Sequence, residues 1–225
     1  MLVKDWMRQH VITIDANDSM HHATKLMKEY NIRMLPVVKK GKLVGIVTDR
    51  DLKRASASDA TSLEIHELLY LLMNIKIKKI MTKNLITIPF NYTIEETAQI
   101  LMENKISGAP VVNKKGRLVG VITQTDIFRV MISLTGIGKK GIQFAFMIED
   151  KPGTIKELTD IVRAYNGRLV SILGSYDGVK SGYRKVYLRA HSIERSDLTK
   201  LKGELQKKGE LLYMVDHRDN KREIY

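Results

Sequence analysis

The sequence contains no cysteine. That excludes disulfides, thiolate metal sites and cysteine nucleophiles, and it suits a cytoplasmic chain. Aromatic residues are only 6% of the total, with a single Trp, so platforms for stacking nucleic-acid bases are scarce. Apolar runs are short. The longest, such as residues 68–73, fall far below the roughly 20 residues a membrane-spanning helix needs. The opening residues, Met-Leu-Val-Lys-Asp-Trp-Met, lack a basic stretch followed by an apolar one, so no secretion signal is expected. Catalytic patterns are missing too: there is no paired-carboxylate motif, no His-x-x-x-His and no nucleophile elbow. His21 and His22 are adjacent. On a helix they would point about 100° apart and chelate poorly, and no other histidine has metal-site spacing. These absences lead to the expectation of a non-enzyme with no metal and no required cofactor.

What is present is an ordinary globular composition, 44% hydrophobic and 28% charged over 225 residues, enough for one large domain or two small ones. The net charge is +13. Residues 1–140 hold 22 Lys+Arg against 13 Asp+Glu, and residues 141–225 hold 16 against 12, so most of the excess lies in the first part. A basic surface attracts phosphates, nucleic acid or acidic lipid. It is equally the mark of a solvated lysine-rich surface.

An internal repeat organises the first part. Residues 11–38 align with 85–112 at an offset of 74, and 40–54 with 115–129 at an offset of 75, with one residue inserted between. Residues 3–7 and 77–81 also match. Each copy opens with a β-prone run, Ile12-Thr13-Ile14 or Ile86-Thr87-Ile88. A helix follows, with Thr93 and Glu96 forming a capping box in the second copy and Ser19 in the equivalent place in the first, where His22 replaces the Glu. Met20, Ala23, Met27 and Tyr30 share one helical face, as do Ile94, Thr97 and Leu101. Extended runs at 35–38 and 109–112 come next, then turns at Gly41 and Gly116, then second strands at 43–47 and 118–122, with second helices starting near Thr48 and Thr123. The order β-α-β-β-α belongs to the α/β class.

This order, with Leu35-Pro36-Val37, Ala109-Pro110-Val111, Gly45-x-x-Thr48-x-x-Asp51 and Gly120-x-x-Thr123-x-x-Asp126, resembles a tandem pair of CBS domains, together a Bateman module. The resemblance implies two clefts between packed repeats, often holding AMP, ADP, ATP or S-adenosyl compounds. It assigns Asp51 and Asp126 to a ribose diol, and such an Asp is chemically suited to accept those hydrogen bonds. Thr48 and Thr123 can bond ribose or phosphate, and the helix starts favour phosphate. Arg50 can pair with phosphate bidentately, where the second copy has Thr125. The clefts are therefore unequal, and the one with Arg50 is expected to prefer the more phosphorylated ligand. Adenine is expected against Ile14, Leu35 and Pro36 in one cleft and Ile88, Ala109 and Pro110 in the other, with Thr13 and Thr87 alongside. Taken alone, each Thr-x-x-Asp is also an ordinary helix cap.

Between the copies, residues 59–76 read as a helical linker capped by Ser62, with Leu63, His66, Leu69 and Leu72 or Met73 along one side. The segment 63–68 resembles acetoin-utilisation proteins, which commonly carry a C-terminal ACT domain. After a glycine-rich linker at 136–141, the order is βαββαβ, which is ferredoxin-like. It comprises a strand at 142–148, a helix carrying Ile155, Leu158, Ile161 and Val162, strands at 169–173 and 185–190, a helix near 196–207 capped by Ser196, and a strand at 210–216. The turn Asp150-Lys151-Pro152-Gly153-Thr154-Ile155 resembles the ACT domain. That resemblance implies pairing between subunits and an amino-acid site using Asp150 and Gly153, with Arg168 in the second strand. Amino-acid-binding ACT domains often have Gly-x-Asn-Ile there; Gly167-Arg168-Leu169 lacks the Asn. Residues 176–182 read as a hairpin loop able to cover a site.

The expected plan is CBS repeats at 1–58 and 77–135, an ACT domain at 142–218 and a tail at 219–225. The expected function is that of a cytoplasmic homodimer that senses an adenine nucleotide as a regulatory ligand and signals through the ACT part or a partner protein. It is not bound to a membrane. The alternative, motivated by the basic charge, is a nucleic-acid-binding regulator, but no helix-turn-helix or RNP-like pattern supports it.

Overall fold

The computed structural model describes residues 1–59 and 74–225. The linker residues Ser62, Leu63, His66, Leu69, Leu72 and Met73 lie outside the described residues. The chain divides into two compact units, Met1–Ile127 and Phe128–Tyr225.

In the first unit the repeat of sequence is a repeat of structure. Copy one runs β1 (Ile14–Asp15), α1 (Met20–Glu29), β2 (Met34–Lys39), β3 (Lys42–Thr48) and α2 (Asp49–Asp59). Copy two runs β4 (Ile88–Pro89), α3 (Ile94–Glu103), β5 (Gly108–Val112), β6 (Leu118–Thr123) and α4 (Gln124–Thr135). Each copy builds a three-stranded sheet in the order β1-β2-β3 or β4-β5-β6. The register repeats as well: Ile14 lies opposite Val37, and Ile88 opposite Val111, in parallel pairs. The inserted residue falls in the second hairpin. Lys40 and Gly41, both at positive φ, close the first as a tight turn. The second uses a longer turn, in which the Asn113 side chain accepts from the N–H groups of Lys115 and Arg117.

The helix starts follow the side chains. Ser19 accepts from the His22 N–H at 3.2 Å. Thr93 and Glu96 complete their capping box at 2.7 and 3.2 Å. Met20, Ala23 and Met27 face the core of copy one. Tyr30 does not: it is the C-cap residue of α1 and is 48% exposed, because the helix ends at Glu29 before its ring can turn inward.

The leading segments are exchanged between the copies. Residues preceding copy one are stitched to copy two, with Val3 N–H on Tyr92 O, Lys4 N–H on Phe90 O, and Arg8 and Val121 exchanging both backbone bonds at 2.9 and 3.0 Å. Residues preceding copy two are stitched to copy one. Ile77 N–H bonds Asp18 O, Lys78 N–H bonds Ala16 O, and Thr82 and Ile46 exchange both bonds. Arg8 and Thr82 thereby occupy equivalent backbone positions.

In the second unit, β7 (Ile142–Glu149), β8 (Arg168–Ser175), β9 (Tyr183–His191), β10 (Glu210–Asp216) and β11 (Lys221–Ile224) form one antiparallel sheet in the order β11-β10-β7-β9-β8. Helices α5 (Thr154–Ala164) and α6 (Leu198–Gln206) cover one face. Phe144, Phe146, Leu158, Val162, Leu188, Leu201 and Leu205 are fully buried there. Two expectations are corrected. Ser196 caps no helix; it lies within a 3-10 turn at Arg195–Asp197, and α6 starts after it. Residues 219–225 are not merely a tail, because Lys221–Ile224 pairs with β10 as a fifth strand. The glycine-rich segment 136–141 is also folded rather than slack. It contains a 3-10 turn, Ile137–Lys139, and the buried Arg189 guanidinium donates to Thr135 O at 2.7 Å, Lys140 O at 3.3 Å and Gln143 Oε1 at 3.2 Å.

Candidate functional site

The two Thr-x-x-Asp signatures fold identically. Thr48 donates its N–H and its hydroxyl to Asp51 Oδ2 at 2.9 and 2.7 Å, and Asp51 N–H returns to Thr48 Oγ1 at 3.4 Å. Thr123 and Asp126 repeat those distances. Each carboxylate thus closes the start of its helix, which is what such a pair does locally in any protein. A carboxylate has two oxygens, and Asp51 Oδ1 makes no hydrogen bond among the described residues, so capping and ligand contact are compatible.

The surroundings of the two carboxylates differ. Asp51 is partly exposed and lines a cavity of about 230 Å³. Copy one contributes Met34, Ile46, Thr48, Asp49, Arg50 and Arg54. The segment leading into copy two contributes Thr82, Asn84 and Ile86, and copy two itself Lys105, Ile106, Ser107 and Gly108. The lining mixes the apolar Met34, Ile46, Ile86 and Ile106 with the cationic Arg50, Arg54 and Lys105. The volume lies just under the small end of ligand sites, roughly 300–1,000 Å³. Asp126 is fully buried, and Arg8 Nε stands 3.7 Å from its Oδ1.

Several expected contacts are corrected. Ile14, Leu35, Ile88 and Ala109 are at most 1% exposed and belong to the cores of their copies. Pro36 and Pro110 are buried within β2 and β5. Thr13, Ile14, Leu35 and Pro36 do not line the Asp51 cavity; Thr87, Ile88, Ala109 and Pro110 are those expected in the other cleft. Strand alternation explains the error: Leu35 and Val37 point into the core, so the cavity receives Met34 at the start of the strand. Ile88, the first residue of β4, is buried in the core, whereas Ile86 precedes the strand and lines the cavity. Thr48, Arg50 and Asp51 are brought together; Thr123, Thr125 and Asp126 lie outside this cavity, on the other copy. The wall formed by Asn84 and 105–108 was missed because each cleft was assigned the residues of a single copy.

In the second unit the three expected ligand residues are not brought together. Asp150 follows β7, donates its N–H to Gly182 O and pairs with Arg184 at 3.3 Å. Gly153, at φ 92, precedes α5. Arg168 starts β8 opposite His191, at the other end of the sheet, on the order of 25 Å away along an eight-residue strand. A second cavity of about 220 Å³ is rimmed by charges that already satisfy one another. They include Arg195 with Asp219 at 2.6 Å and Lys202 with Glu223 at 3.0 Å. Among the described residues no group of three or more His, Asp or Glu is placed to hold a metal ion, and no helix is long and apolar enough to cross a membrane.

Comparison with known proteins agrees with the first unit. The CBS domain family matches residues 3–58 and 77–133. A CBS domain-containing protein of Dictyostelium discoideum is 34% identical over 135 residues, 60% of this chain and 93% of that protein. The crystal structure of the CBS domain pair of protein MJ0100, in complex with 5′-methylthioadenosine and S-adenosyl-L-methionine, is 35% identical with a TM-score of 0.50, over 58% of this chain and 95% of that one. A putative acetoin utilization protein from Vibrio cholerae is 27% identical with a TM-score of 0.52, over 63% of this chain and 97% of that one. Relatives that are inosine-5′-monophosphate dehydrogenases are matched over only about a fifth of their own length. On these matches and the doubled β-α-β-β-α architecture, the chain belongs to the CBS-domain family and carries a tandem CBS pair.

Proposed function

We propose that this protein is a non-catalytic regulatory sensor that binds an adenosine-based ligand, an adenine nucleotide or an S-adenosyl compound, in the Asp51 cleft. The observation that carries the reading is the cavity itself. Its lining includes apolar side chains for a base, the Asp51 carboxylate for a ribose diol, and Arg50 and Lys105 for phosphates. The ligands bound to the MJ0100 pair share the base and ribose of that chemistry and carry no phosphate.

The domain plan we propose adds a C-terminal ACT domain. Its support is the order β7-α5-β8-β9-α6-β10 with strands arranged β10-β7-β9-β8, the ferredoxin-like arrangement, and the Asp150-x-Pro152-Gly153 turn. With Arg168 remote from that turn, its role is association with a second copy or a target protein rather than capture of an amino acid. Ligand in the cleft then biases that association, and the association must bias ligand affinity by the same factor.

Thermal unfolding with millimolar AMP, ATP, 5′-methylthioadenosine and S-adenosylmethionine tests the reading. At least one should raise Tm in a concentration-dependent way, and Asp51→Ala should abolish the rise. No shift with any of the four would sink it.

A further inference from the structure

Besides Arg50 and Thr125, the two copies differ at a residue that the backbone places equivalently. Arg8 and Thr82 each exchange two backbone hydrogen bonds with a β-strand of the other copy, Arg8 with Val121 and Thr82 with Ile46. Each follows a methionine, Met7 or Met81, whose Sδ lies 2.5 Å from where a Cβ on Gly120 or Gly45 would stand. Two matched frames therefore carry two different side chains, and the acids they face have different fates. Asp51, beside Thr82, is open to the cavity. Asp126, beside Arg8, has no exposed surface, while the Arg8 side chain is 49% exposed.

We propose that Arg8 is the specificity-determining residue of the pair: it occupies the ligand-binding carboxylate of the second cleft and restricts the protein to one adenosine ligand per chain. The inference rests on the reading of the Asp51 cleft given above. A ribose diol approaching Asp126 must displace a cation from a buried carboxylate, and its neutral hydroxyls can hydrogen-bond that carboxylate but cannot replace the charge of the ion pair. At Asp51 no ion pair among the described residues stands in the way. The backbone bonds of residue 8 are independent of its side chain, so Arg8→Thr removes the cation from Asp126 without unpinning the segment.

Binding stoichiometry, measured by isothermal titration with AMP and with S-adenosylmethionine, tests this. The unaltered protein should bind one equivalent, and Asp51→Ala none. Arg8→Thr should bind two equivalents, of which Arg8→Thr with Asp51→Ala retains one, while Arg8→Lys should stay at one. Two equivalents on the unaltered protein, or one on Arg8→Thr, overturns the proposal while leaving the Asp51 reading intact. One equivalent that survives Asp51→Ala in the unaltered protein also overturns it. No binding by the unaltered protein or by Arg8→Thr removes the adenosine reading itself, and this proposal with it.

Discussion

Gly45 stands directly against Met81: a Cβ on the glycine would lie 2.5 Å from the methionine Sδ and 3.2 Å from the Thr82 carbonyl oxygen. The contact locks the segment leading into copy two onto β3 of copy one, beside the cleft. Gly45→Ala should therefore destabilise the protein by about 1–3 kcal/mol, the usual cost of overpacking. Gly45→Ala combined with Met81→Ala should cost less than the sum of the two single changes, because the second relieves the clash made by the first. Urea unfolding of the four proteins in the cycle measures the coupling, and strict additivity would contradict the contact.

The repeat made much of the first unit legible in advance. Because Ile14 and Ile88, and Val37 and Val111, stand 74 residues apart in each case, one sheet predicts the other down to its register. Ser19 and Thr93 cap their helices as local chemistry dictates. The exchange of leading segments was not legible. Val3 bonding Tyr92 depends on two stretches far apart in the chain, and periodicity reports only which face of an element is apolar, not what covers it. The same limit misplaced Ile14 and Leu35, whose apolarity means core in this fold. Lys221–Ile224 was missed for another reason: Lys-Arg-Glu-Ile has no strand pattern of its own, and its pairing is supplied by the edge of β10.

The Thr48 hydroxyl serves both the helix start and the orientation of Asp51. Thr48→Val keeps the shape and removes the 2.7 Å bond. Loss of such a cap costs about 0.5–2 kcal/mol of stability. If Asp51 holds a ribose, the same change should also weaken ligand binding several-fold by freeing the carboxylate to rotate. Comparing Thr48→Val with Thr123→Val separates the two effects. Both should lower the unfolding free energy, and only the first should change adenosine-ligand affinity. Equal loss of affinity in both would show that the effect is not local to the Asp51 cleft.

Arg189 is 3% exposed, and the acceptors recorded for it are the neutral oxygens of Thr135, Lys140 and Gln143. It joins the 135–140 segment to the sheet. Arg189→Met fills similar space but leaves the Lys140 carbonyl and the Gln143 amide oxygen without that donor, and the Thr135 carbonyl with the Ser171 hydroxyl alone. The cost should be about 1–3 kcal/mol for the unsatisfied buried groups. Hydrogen exchange should quicken at the amides of 136–141 more than in α5. Exchange unchanged in that segment would mean that other contacts hold it.

Glu223 gives the second unit an acid-sensitive strand. Hydrogen bonds from the Tyr225 hydroxyl, then Lys202 and Lys221, hold its carboxyl down at about 2, from an ordinary value of 4.5. The distances are 2.6 Å to Tyr225 and 3.0 Å to Lys202. A carboxylate with a depressed folded pKa contributes stability above its unfolded pKa and loses it as pH falls through the folded value. The contribution is therefore full above pH 4.5 and gone by about pH 2. Asp216, lowered by its hydrogen bonds from Arg218, acts in the same direction below its ordinary 3.8. Thermal unfolding of the protein and of Glu223→Gln between pH 2 and pH 7 should show the variant less stable at neutral pH. The gap should close as pH falls from 4.5 toward 2. A gap that stays constant through that window would show that the β10–β11 edge is held by its backbone pairing and not by the Glu223 network.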